Sequence, residues 1–146
     1  MPQKLKSEQD EDGRWIAEFV ERGAGHISPH TLQKLLHQLP MLKAEFTQID
    51  APKYPHLVDQ LEFLSDVVED VAEHSYERLS YHALAAAAFA LIYAHKMADI
   101  IPDSRLDFGH ADDSAVVRYV LLRYERCLSS YAAHNKVHWN GLTSAP

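Results

Sequence analysis

Between Leu32 and Ile49 the large apolar residues fall at Leu32, Leu35, Leu39, Leu42, Phe46 and Ile49, in steps of 3, 4, 3, 4 and 3. That spacing tracks the 3.6-residue turn of an α-helix and places all of them on one stripe. Ser28 followed by Pro29 predicts where the helix starts. A serine hydroxyl accepts one of the orphaned first-turn N–H groups, and a proline in the first turn gives up an N–H that has no helical partner there. Pro40 falls within the stripe without shifting its phase. Its ring removes a donor and crowds the carbonyl of Leu36, so the pattern predicts one kinked helix or two in line.

The same reasoning extends in both directions. Trp15, Ile16, Phe19 and Val20 predict a helix over 13–22, with Gly23 and Gly25 as stop signals. After a loop carrying Pro52 and Pro55, Leu57, Leu61, Leu64, Val68 and Val71 form a seam, while Asp59, Glu62, Asp66, Glu69 and Asp70 fall mostly on other faces. This predicts an amphipathic helix with an acidic exterior. A further helix begins near Ser80 and carries Leu84, Ala88, Leu91 and His95 on one stripe, with alanines that let a neighbouring backbone come close. The last helix is expected to start at Asp112 and Asp113 and to carry Val117, Val120, Tyr124, Cys127, Tyr131 and His134. Tyr124 and Tyr131 on that seam are read as core in preference to a dimer surface. Residues 1–12 are charged and aperiodic, which predicts a disordered tail, and 138–146 read as a short flexible tail. No strand-length alternation and no internal repeat are present. The pattern predicts an all-α, single-domain bundle of five or six helices over residues 13–137.

Composition narrows the picture. A chain of 146 residues is one domain in length, and a chain of that size buries roughly 68–70% of its unfolded surface, enough for one core. Fourteen Lys and Arg against 21 Asp and Glu give a net charge of -7, with the basic residues scattered. Nucleic acid is a poor partner for such a surface, because phosphate binding needs clustered positive charge. The longest apolar run, Ala83 to Ala94, has 12 residues. That is short of the roughly 20 that cross a bilayer, so a buried helix is expected and no membrane span. Cys127 is the sole cysteine, and no basic-then-apolar leader opens the chain. Both features predict a cytoplasmic protein.

Familiar catalytic motifs are missing from the sequence: there is no glycine-rich phosphate loop, nucleophile elbow, paired CxxC or HExxH. Among ten histidines, His134 and His138 are four apart near a helix end. Histidines there suit the negative end of the helix dipole better than a metal. His26 and His30 share that spacing but are separated by the break at Ser28 and Pro29, and Cys127 reads as a small core residue. The stretch ADIIPDSRLDFGHADDSAVV, residues 98–117, is different, with five aspartates and a histidine between two apolar helices. If the helix from Ser80 persists to Asp99, that residue shares a face with His95, close to the core and at the negative end of the helix. A carboxylate so placed calls for a positive neighbour: His95, Lys96, Arg105, an N–H-rich turn or a cation. Asp112 and Asp113 are expected as helix caps, and Asp103 after Pro102 as a turn residue bonded to its own backbone.

Asp99, Ile101, Pro102, Asp103, Gly109, Asp112 and Asp113 together match, without a gap, the pattern P-x-D-x-I-P-D-x-x-P-x-x-G-x-x-D-D. This stretch resembles the YkvA-like family, a domain of unknown function in which an apolar helix precedes the pattern, as Ala83 to Ala94 does here. Met97 and Leu106 stand where the pattern has its first and second prolines. The resemblance implies no known activity. Two functional expectations follow. One is a non-enzymatic interaction or regulatory module with a protein partner, in which the acidic turn is a structural corner. The other is a divalent-cation site, with His95, Asp99, Asp103, Asp112 and Asp113 as candidate ligands. Converging carboxylates repel unless neutralised, and hard oxygens with one imidazole suit Mg, Mn or Fe. In a hydrolytic version of that site, the metal would acidify a bound water.

Overall fold

The computed structural model describes residues 15–50, 52–100 and 106–143, with side chains described outside 96–112. Helices follow one another in the order α1 (residues 15–25), α2 (Pro29–Phe46), α3 (Leu57–Ala72), α4 (Tyr81–Ile100), α5 (Leu106–Arg123), α6 (Glu125–His134) and α7 (Trp139–Thr143). No strand occurs among the described residues, and the architecture is an all-α bundle. Among the described residues, no helix is long and apolar enough to cross a membrane.

Local chemistry explains the boundaries that hold. The Ser28 hydroxyl accepts the Thr31 N–H at 3.1 Å and Pro29 occupies the first turn, so α2 starts where the cap signal lies. Pro40 lies within a continuous α2, and Leu35, Leu39, Leu42 and Phe46 on its inner stripe are at most 2% exposed. Ser80 accepts the Ala83 N–H at 3.2 Å at the start of α4.

α3 is the central rod, with α2, α4 and α5 all packed against it. A helix enclosed on three sides buries more than a seam, and here Gln60, Phe63, Ser65 and Val67 go under along with Leu57, Leu61, Leu64 and Val68. Two of the buried polar side chains of α3 donate to backbone: Ser65 to the Leu61 carbonyl at 2.8 Å and Gln60 Nε2 to the Leu142 carbonyl at 2.7 Å, while Gln60 Oε1 is buried without a hydrogen bond among the described residues. α4 buries Ala85, Ala86, Ala87, Ala88, Ala90 and Ala94, all at most 3% exposed, on several sides at once. Small side chains over that length let α3 and α5 both approach α4 closely.

Four expectations are corrected. Helix α1 runs on to residue 25 instead of stopping at Arg22. Gly23 is a packing position within it, because a Cβ there would clash with Cε1 of the Phe89 ring. Asp112 and Asp113 do not cap α5, which starts six residues earlier at Leu106. A glycine inside the helix, here Gly109, costs only about 1 kcal/mol relative to alanine and does not stop it. The expected long last helix breaks at Tyr124, whose φ of -108° and ψ of 29° separate α5 from α6. Finally, the stretch read as a flexible tail contains α7, whose Leu142 is 7% exposed.

Candidate functional site

The acidic signature is only partly within the described residues. α4 extends to Ile100, so Asp99 stays on the helix that carries His95, while Gly109 and Asp112 lie within α5. Ile101, Pro102 and Asp103 fall outside the described residues, as does Arg105. Of the candidate cation ligands, the structure describes the side chains of His95 and Asp113. His95 Nδ1 lies 2.9 Å from a Glu45 carboxylate oxygen, which ties α4 to α2 through a residue that the sequence pattern did not single out. Asp113 is buried at 3% exposure, the depth of core rather than of a solvated cap.

The other end of α3 gathers more chemistry. Tyr131, 2% exposed, donates its phenol proton to Asp70 Oδ2. Burial first, then the hydrogen bond to Asp70 and the charges of Asp70, Asp66 and Glu69, push that phenol well above the usual tyrosine range. Tyr131 meets Phe63 and Tyr76 edge to face, with centroids 5.5 and 5.1 Å away, and Tyr76 in turn lies 5.4 Å from His134. The Asp70 carbonyl accepts the N–H groups of Ser75 and Tyr76 at 2.8 and 3.3 Å. His74, just before them, is left-handed, with φ of 63°. These bonds close the C-terminal end of α3. Glu69, Asp70 and Glu73 have carboxylate oxygens within 4.8 Å of one another. Protein donors already engage two of the three: Tyr131 holds Asp70, and Lys43 Nζ lies 3.2 Å from Glu69 as well as 3.1 Å from Asp66. Partial burial opposes the charge on Lys43, but those two carboxylates outweigh it and raise its pKa.

A second tyrosine–carboxylate contact joins α1 to the α5–α6 break. Tyr119 and Tyr124 place their hydroxyls 3.0 and 3.1 Å from Glu21 oxygens. The Arg123 guanidinium lies over the Tyr124 ring, 5.2 Å from its centroid. Partial burial, followed by the Glu21 charge, pushes the Tyr124 phenol up to about 12.

Between α3 and α7 lies an open cleft of about 400 Å³. One wall carries Asp59, Glu62 and Asp66; Phe63 and Leu142 form the floor; Val137 and His138 stand opposite. Two internal donors hold the α7 wall in place, Gln60 on the Leu142 carbonyl and Arg118 on the Thr143 carbonyl at 3.1 Å. Both satisfy carbonyls that a helix C-terminus leaves open. Trp139 packs edge to face on Phe63 at 5.8 Å. The α3 acids are legible in the sequence as an exposed face; the cleft is not, because its far wall, apart from Val137, belongs to the stretch 138–146 that the sequence marks as a tail. Trp139 and Leu142, three apart in an otherwise polar stretch, were the available signal. His134 and His138 are not brought to a shared site: His134 packs toward Tyr76, whereas His138 lines the cleft.

No protein family, curated protein or solved structure matches this chain.

Proposed function

We propose that this chain is a non-enzymatic interaction or regulatory module that docks a protein partner in the cleft between α3 and α7. The observation that supports this reading is the make-up of the cleft: an apolar floor of Phe63 and Leu142, an acidic wall, and Val137 standing 37% exposed at its edge. Interfaces combine an apolar centre with a polar rim in this way. A wall fastened from inside by Gln60 and Arg118 loses little freedom when a partner arrives. In this reading the acidic stretch between α4 and α5 is a structural corner, and its resemblance to the YkvA-like signature implies no activity. A net charge of -7 disfavours nucleic acid as the partner, and the single Cys127 suits a cytoplasmic setting.

The test is site-specific photo-crosslinking of the full chain in its native host. A benzophenone side chain at Val137 is expected to give discrete heavier adducts, whereas one at Met41, 49% exposed on α2, gives none. Equal labelling from both positions, or none from Val137, overturns the docking reading.

The depth of Asp113 favours a second reading, a divalent-cation site at the α4–α5 corner with His95, Asp99, Asp103 and Asp112. A cation held by the native state raises the melting temperature on addition of Mg or Mn and lowers it with EDTA. A melting temperature indifferent to both removes this reading together with its hydrolytic version.

A further inference from the structure

Asp59, Glu62, Asp66, Glu69 and Glu73 follow one another at steps of 3, 4, 3 and 4 along the outer side of α3. The 1.5 Å rise per residue makes this a line of carboxylates roughly 20 Å long. Its two ends differ. Lys43 from α2 sits on Asp66 and Glu69 in the middle. Among the described residues no Lys, Arg or His pairs with Asp59 or Glu62, and these two rim the cleft over Phe63 and Leu142. Unneutralised like charges beside an apolar floor select a partner that brings positive charge and an apolar anchor together.

We infer that the α3–α7 cleft takes a cationic amphipathic segment of a partner protein. A large apolar side chain enters over Phe63 and Leu142, and flanking Lys or Arg side chains reach Asp59 and Glu62. The inference rests on the docking reading above and adds the chemistry of the partner. Helix-in-groove recognition supplies the mode: apolar anchors on one face of the segment, charges beside them. The His56 and His138 side chains at the same cleft are the only described basic groups lining it.

Amide resonances of isotopically labelled full-length protein, titrated with synthetic peptides, test both layers. The probes are an amphipathic Leu/Lys peptide, its Leu/Glu counterpart, and a Leu/Lys peptide scrambled to destroy the apolar face. The expected result is that the amphipathic Leu/Lys peptide shifts Glu62, Phe63 and Gly141. It should bind about tenfold more tightly than either control and weaken with added salt. The Glu62→Lys variant should lose about tenfold in affinity while keeping its melting temperature, since this side chain points away from the core seam and lies beyond the first turn of α3, where Asp59 suits the helix dipole. If the Leu/Glu peptide binds the cleft as well as the Leu/Lys one, docking stands and the cationic preference is wrong. Equal binding of the scrambled peptide makes the contact diffuse electrostatics and overturns the inference. If no peptide moves the cleft resonances, the inference and the docking reading both fall.

Discussion

Two tyrosine–carboxylate contacts tie this bundle together, and they differ mainly in depth. At one, Tyr131 reaches Asp70 from a position 2% exposed, walled by Phe63 and Tyr76. At the other, Tyr119 and Tyr124 share Glu21 at the surface, with Arg123 close by. The donor and acceptor types are the same. What differs is what replaces the bond when it is lost. At Glu21, water takes the place of each hydroxyl; at the other contact the phenol comes from a buried ring packed between Phe63 and Tyr76, so its loss leaves a space inside the bundle rather than at the surface. Depth, rather than the number of bonds, should therefore decide which contact stabilises the fold.

The comparison can be tested from its largest effect downward. Tyr131→Ala removes both the ring and the phenol and should cost about 3–5 kcal/mol in a urea titration, as large-to-small changes of buried aromatics do. A loss under about 1 kcal/mol would mean that the aromatic wall collapses into the space. Tyr131→Phe keeps the ring and deletes only the proton donor. A cost of about 1.5–3 kcal/mol is expected, the usual range for a hydrogen bond to a charged group. A neutral result would put the Asp70 contact on the same footing as the one at Glu21.

Alkaline pH weighs Tyr131 by another route, since Tyr119 and Tyr124, whose phenols are also raised, are common to the wild type and Tyr131→Phe. A tyrosine in the unfolded chain loses its proton near 10.0, and Tyr131 in the fold loses it at higher pH. Above the unfolded value the native state holds a proton that the unfolded state has released. Stability is therefore fully present below that pH and falls as pH rises through the window above it. Urea midpoints measured upward from about pH 8 should fall more steeply for the wild type than for Tyr131→Phe. Parallel curves would show that Tyr131 contributes nothing to the pH dependence. The smallest effect belongs to Glu21→Ala, which should change stability by no more than about 1 kcal/mol because the freed hydroxyls meet water. A larger loss would make the α1 contact an equal partner in the fold.

These contacts also mark where sequence reading stopped. The α2 stripe was legible from Leu35 to Phe46 because every signal in it is local: a cap at Ser28, a first-turn proline and a steady period. The buried breadth of α3 was not, because Gln60 and Ser65 look polar until Leu142 and Leu61 are seen to accept from them. The last helix was read as continuous through Tyr124, since an aromatic on the seam carries no mark of a break. Asp112 and Asp113 carried a strong cap signature, yet Leu106 starts the helix and places both acids inside it. Of the candidate site, His95 kept its helix face, but its partner, Glu45, came from α2.

The order of apolar and polar residues determined by itself that the chain is helical, where α2, α3 and α4 begin and which stripe of α2 is buried. Those are short-range matters, fixed by backbone hydrogen bonding and a 3.6-residue repeat. Only the tertiary structure decided that α3 is enclosed on three sides, that Asp70 meets Tyr131 and that α7 folds back to form a cleft with the acids of α3. Each of these joins residues far apart in the chain, and their contact depends on how whole helices pack rather than on the period of any one of them.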